Sequence, residues 1–136
     1  VDDSGPLTLT RALVVLDVPD LQVAADFWCR LLATTVVDTD HDWIALAPVA
    51  GLRLAFQWAP DVPAPTWPDP AVPQQAHLDL HVADLDAAEA TVLAAGGRPV
   101  EGPGDDPSFR VYRDPSGHPF CLCRESGPGP GQEAGR

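Results

Sequence analysis

His77-Leu78-Asp79-Leu80-His81-Val82-Ala83-Asp84-Leu85 decides the architecture, because Leu13-Val14-Val15-Leu16-Asp17-Val18-Pro19-Asp20-Leu21 has the same layout 64 residues earlier. The shift lays Val18, Asp20, Leu21 and Ala24 on Val82, Asp84, Leu85 and Ala88. Each half opens with a strand, over 11–18 and 77–82, and then meets an Asp suited to cap a helix. Ala24, Phe27, Trp28, Leu31 and Leu32 recur at helical spacing in the first half, as do Leu85, Ala88, Val92 and Ala95 in the second. Gly96-Gly97 supplies a stop signal for the second helix. Short β-type runs follow each helix: 35–37, 43–47 and 52–58, then 98–100, 109–113 and 119–124. The pattern is strand, helix, three strands, repeated.

Between the halves, residues 59–75 hold Pro60, Pro63, Pro65, Pro68, Pro70 and Pro73. A helix or central strand is excluded there, so this segment is expected to be a crossover or a lid. The two ordered stretches, 9–58 and 76–124, are expected to make one domain, since 136 residues are too few for two ordinary ones. Residues 125–136, rich in Gly, Pro and Glu, are expected to be a disordered tail.

Composition narrows the chemistry. Acids outnumber bases 20 to 8, a net charge of −12, so nucleic acid and anionic membrane surfaces are expected not to be partners. All basic residues are arginine, which excludes lysine Schiff bases and phosphate-loop lysines. Three cysteines argue against a disulfide framework. With no membrane-length apolar run and no signal-peptide pattern at the start, the expected location is cytoplasmic.

Asp26-Phe27-Trp28, His77-Leu78-Asp79-Leu80 and Asp114-Pro115-Ser116-Gly117-His118-Pro119-Phe120-Cys121-Leu122, set in this repeat, make the chain resemble the vicinal-oxygen-chelate superfamily. That superfamily includes glyoxalase I, bleomycin-resistance proteins and extradiol dioxygenases, and the glyoxalase-like members are the most similar. The resemblance implies an α+β fold of two βαβββ modules curled into an incomplete barrel around a cavity, a small-molecule ligand, and a homodimer. It also implies four metal-ligand positions, a His or Gln on the first strand and a Glu on the last strand of each module. Here those positions hold Leu13, Ala55, His77 and Cys121, with Gln57 two residues beyond Ala55. A hard cation wants several oxygen ligands, so no metal or other cofactor is expected at such a site. A softer site from His77, Cys121 and Cys123 stays open as an alternative.

Strand alternation puts His77, Asp79 and His81 on one face and Leu78, Leu80 and Val82 on the other. His77 with Asp79 is the candidate catalytic pair, because a carboxylate beside an imidazole fixes its tautomer and favours proton transfer. Both also suit satisfied polar residues at a strand start that tie down the connector. Trp43, Gln57, Trp58, Trp67 and Cys121 are the candidate ligand-binding residues. Trp28 reads as core, His41 as a turn residue and His118 as structural. Two functions of different class follow: a glyoxalase- or bleomycin-resistance-like protein that binds a neutral or cationic molecule, or a lyase or isomerase using His77 and Asp79 or a metal.

Overall fold

Asp20 and Asp84 do the same work in both halves. The Val23 N–H donates to Asp20 Oδ1 and the Ala87 N–H to Asp84 Oδ1, each at 3.1 Å, satisfying a donor that a helix start leaves without an intrahelical partner. Helix α1 runs Leu21–Leu32 and α2 runs Leu85–Ala95. Left-handed residues end both, Ala33 with φ 52° and Gly96 with φ 109°. Gly97 is demanded by packing: a Cβ there would lie 2.5 Å from Val92 Cγ1 and 3.3 Å from Phe27 Cε1.

The computed structural model describes residues 5–101 and 106–125. Its strands are β1 (Val14–Val18), β2 (Val36–Asp40), β3 (Trp43–Leu46), β4 (Leu54–Trp58), β5 (Leu78–Val82), β6 (Arg98–Pro99), β7 (Phe109–Arg113) and β8 (Pro119–Arg124). They form two four-stranded sheets ordered β1-β4-β3-β2 and β5-β8-β7-β6. Each is one βαβββ module whose first strand pairs in parallel with its last. The α+β fold and the duplication are as expected, while the two sheets stay separate and are not closed into a barrel. Residues 59–75 contain neither helix nor strand. The expected tail lies outside the described residues, apart from Glu125.

Two strands differ from their expected bounds for physical reasons. β2 continues through Asp38 to Asp40, beyond the apolar run, because it is an exposed edge strand where acidic side chains are tolerated. β1 begins at Val14 rather than residue 11, because its partner β4 starts only at Leu54.

One apolar core joins the halves. Leu54, Phe56, Phe120 and Leu122 pack under the helices with Phe27, Trp28 and Val92. Phe27 and Trp28 of α1 meet Phe120 of the other module edge-on, at centroid distances of 6.0 and 5.1 Å. Aromatic truncation in such a core costs about 3–5 kcal/mol. The His118 Nε2 also bonds the Asp17 carbonyl at 2.7 Å, tying the β7–β8 turn to β1.

Candidate functional site

Alternation along β5 and β8 leaves a second face on the latter sheet, away from the helices. Asp79 sits directly across from Cys121, and His81 from Cys123. His77 immediately precedes β5, and its Nε2 lies 3.0 Å from Asp79 Oδ1, with the two side chains 34% and 27% exposed. Donor atoms of His77, Asp79 and Cys121 lie within 4.8 Å of one another. The same face is walled by Val111, Cys121 and Cys123, all buried, with Phe109, Val100 and Trp67 packed against them. None of the three cysteines is in a disulfide.

Trp67 reaches this face because the proline-rich connector is strapped down. Arg113 donates through Nη1 to the Pro65 and Gly117 carbonyls, and through Nη2 to the Trp67 carbonyl at 2.6 Å. Thr66 closes the strap on itself: the Val72 N–H donates to its Oγ1 at 2.8 Å and its own N–H donates to the Val72 carbonyl at 2.7 Å. Trp67 thus packs against the wall formed by Val111, Cys121 and Cys123.

A cavity of about 600 Å³ runs along the open edge of β5. Leu31 and Leu32 at the end of α1, Val49 and Leu52 of the β3–β4 hairpin, and Thr91 of α2 wall it with Leu78, Leu80 and Val82 of β5, and Asp79 and His81 are also among the residues along it. The sequence reading missed these walls. The available signal was the hairpin tip Val49-Ala50-Gly51-Leu52, which is apolar where turns are ordinarily polar.

The residues singled out beforehand are therefore only partly together. His77, Asp79 and Cys121 form one cluster with Trp67 nearby, and among all of them only Asp79 lines the cavity. Trp43 and Gln57 face each other across β3 and β4 in the first sheet, where Gln57 Nε2 donates to the Asp42 carbonyl at 3.0 Å and to its Oδ2 at 3.1 Å. Trp58 shares the parity of Leu54 and Phe56, so it turns to the helix side. Its Nε1 donates to the Pro19 carbonyl at 3.2 Å and the residue is half exposed. Cys123, opposite His81, is not in the three-donor cluster.

Asp40, His41 and Asp42 make a second close group, at the β2–β3 turn. The hydrogen bond to Asp40, with Asp42 adding, raises the His41 pKa. All three belong to one tight turn, consistent with His41 as a turn residue.

The four ligand positions that the superfamily implies can be tested on side-chain chemistry. Leu13 and Ala55 carry no donor atom, so these four positions do not fit a hard divalent cation. His77 and Cys121 remain, with Asp79 beside them.

Comparison with known proteins agrees with this architecture. A family model described as a glyoxalase-like domain matches residues 13–123. A protein of Mycobacterium bovis, provisionally named glyoxylase CFP32, is 31% identical over 128 residues, covering 91% of this chain. The match takes in 46% of that relative, so the chain spans about half its length. Among solved structures, the fosfomycin resistance protein FosX of Listeria monocytogenes superposes with a TM-score of 0.67 at 13% identity, over 89% of this chain and 97% of that one. A FosX mutant complexed with Mn(II) and a dihydroxypropylphosphonic acid gives 0.65 at 14% identity, over 85% and 90%. A glyoxalase/bleomycin resistance protein/dioxygenase family enzyme of Burkholderia phytofirmans gives 0.63 at 12% identity, over 82% and 95%. These likenesses carry the fold alone, whereas the family match covers most of the sequence. With its repeated βαβββ modules, the chain belongs to the glyoxalase-like domain family of the vicinal-oxygen-chelate superfamily.

Proposed function

We propose that this chain binds a small neutral or cationic organic molecule in the cavity along β5, without the four-ligand hard-metal centre of its superfamily. The observation that carries the reading is a cavity of about 600 Å³ whose walls are mainly apolar, with Asp79 and His81 of the β5 edge among the residues along it. That volume lies within the usual range of small-molecule sites, where a few polar groups orient a ligand held mainly by apolar contact. A net charge of −12 disfavours anions. The test is titration with the neutral fluorophore N-phenyl-1-naphthylamine against its anionic relative anilinonaphthalene sulfonate. One saturable site for the neutral probe, lost in Thr91→Trp, is the expected result. Equal binding by that variant overturns the assignment.

A second reading is favoured by the 3.0 Å contact between His77 Nε2 and Asp79 Oδ1. With Nε2 held by Asp79, Nδ1 is the nitrogen left to take a proton from carbon beside a carbonyl, as an isomerase or lyase requires. Asp79 is both a member of the pair and one of the residues along the cavity, which supports a base close to it. On this reading His77→Ala lowers turnover by about two orders of magnitude or more. On the first reading no turnover is measured with either protein.

A further inference from the structure

The duplication supplies an internal control for the cavity. In a parallel pair, alternate residues turn both main-chain groups to the neighbouring strand, and the residues between turn theirs outward. The Val14 N–H donates to the Arg53 carbonyl and the Ala59 N–H to the Val18 carbonyl, so Val14, Leu16 and Val18 face β4. Asp17 therefore turns its main chain to the open edge of β1, where its carbonyl meets His118 Nε2 at 2.7 Å. β5 repeats the arrangement. The Glu125 N–H donates to the Val82 carbonyl, so Leu78, Leu80 and Val82 face β8. His81, which the 64-residue shift lays on Asp17, turns its N–H and carbonyl outward, to the edge along which the cavity runs. Here the closing side chain is missing. His118 stands in the β7–β8 turn, whereas the matching β3–β4 turn brings Val49, Ala50 and Leu52 to the cavity, and none of these has a side-chain donor. Among the described residues, no hydrogen bond from another element reaches the His81 main chain.

We infer that the cavity takes an acylated amino-acid amide, a short peptide-like molecule laid along β5 as an added strand; this rests on the cavity being a ligand site. The ligand N–H donates to the His81 carbonyl, and the His81 N–H donates to a ligand carbonyl one carbon away. That two-bond exchange is the one an antiparallel pair makes, and added strands of this kind are held by main-chain bonds while side-group pockets select them. Facing residues of a sheet share a face and successive ones alternate. The acyl group next to the bonded residue therefore falls on the side of Leu80 and Val82, where Leu31, Leu32 and Leu52 also wall the cavity. A bulky apolar acyl group fits there, and the residue that pairs with His81 is best small. The net charge of −12 favours the neutral amide over the free acid.

The test compares 1-naphthylacetyl-glycine methylamide with its ester isostere, in which oxygen replaces the glycine N–H. The amide is expected to bind roughly five- to tenfold tighter, the scale of one net hydrogen bond. Amide hydrogen exchange, read by NMR, gives a second measurement. The His81 N–H is expected to exchange fast in the unliganded protein and to slow when the amide probe saturates it, while the Leu80 N–H, bonded to β8, is slow throughout. His81→Pro removes the outward donor without breaking a ladder bond, a substitution that an edge strand tolerates. It is expected to weaken the amide probe by a similar factor while N-phenyl-1-naphthylamine binds as before, and that retained binding, with circular dichroism, shows the variant folded. Equal affinity for amide and ester, or a His81 N–H that exchanges as fast with the probe as without it, overturns the inference. The cavity reading survives that result where N-phenyl-1-naphthylamine binds the unaltered protein and Thr91→Trp abolishes its site. Absence of any site for N-phenyl-1-naphthylamine in the unaltered protein overturns both.

Discussion

Trp28 donates its Nε1–H to Asp114 Oδ2 at 3.0 Å, joining α1 to the β7–β8 turn across 86 residues of chain. Asp114 is 1% exposed, and its other oxygen accepts the Ser116 N–H at 3.0 Å and the His118 N–H at 2.9 Å. Burial pushes this carboxyl above its ordinary 3.8, and the Trp28 bond is foremost among the contacts drawing it back. Trp28→Phe keeps an aromatic ring and removes the donor. The expected loss at neutral pH is about 1.5–3 kcal/mol, the range for a hydrogen bond to a charged group, read by urea unfolding. The sign follows from the raised pKa: the native state disfavours the charged form, and more so without Trp28. The pH-dependent part of the deficit is therefore absent at low pH, where both folded proteins hold the proton, grows as pH rises from the native protein's folded pKa to the variant's higher one, and is full above that. A deficit that does not change with pH would separate the carboxylate from it.

Tyr112 is the single tyrosine, so its ionisation can be followed in the ultraviolet without interference from another phenol. Burial, then its 2.6 Å bond to Glu89 Oε1, raises its pKa well above 10.0. Stability from this group is fully present below pH 10.0 and is lost as pH rises through the higher folded value. Phenolate absorbance is expected to appear together with alkaline unfolding, judged by far-ultraviolet circular dichroism. Ionisation near the ordinary value in still-folded protein would contradict this.

Asp20→Ala and Asp84→Ala each remove one cap bond of 3.1 Å from equivalent helices. Each is expected to cost about 1 kcal/mol in chemical denaturation. The caps lie in different modules and share no partner, so the double variant should lose nearly the sum.

Arg113→Ala removes three bonds to carbonyls, two of them on the connector. Hydrogen exchange at Thr66 and Asp69 is expected to quicken more than exchange in α1. Arg113→Lys should recover little of this, because an ammonium cannot reproduce the planar fork. Uniform loss of protection across the chain would mean that Arg113 supports the whole fold rather than the strap.

Much of this fold could be read in advance because its signals are local. Asp20, Asp84, Gly96 and the turn Asp114-Pro115-Ser116-Gly117 each act within a few residues. Alternation likewise put His77 and Asp79 on one face, while the register that sets Asp79 across from Cys121 came only with the structure. Trp58 was legible by the same rule, since it shares parity with Phe56, and its place at the strand end concealed that. The cavity was not legible, because its walls come from a helix end, a hairpin and a strand edge that meet only in three dimensions. The burial of Asp114 was not legible either, because it depends on an indole 86 residues away.

The seating of Phe27 and Trp28 against Phe120 bears on how the chain comes apart. Stacked repeats lose stability unit by unit, each contributing its own share plus a neighbour term. Here a helix of the first copy completes the interior of the second, so neither half-chain owns a finished core. Opening either copy strips the other of its aromatic cover, so the duplicated chain is expected to melt as one cooperative unit despite its two-part construction.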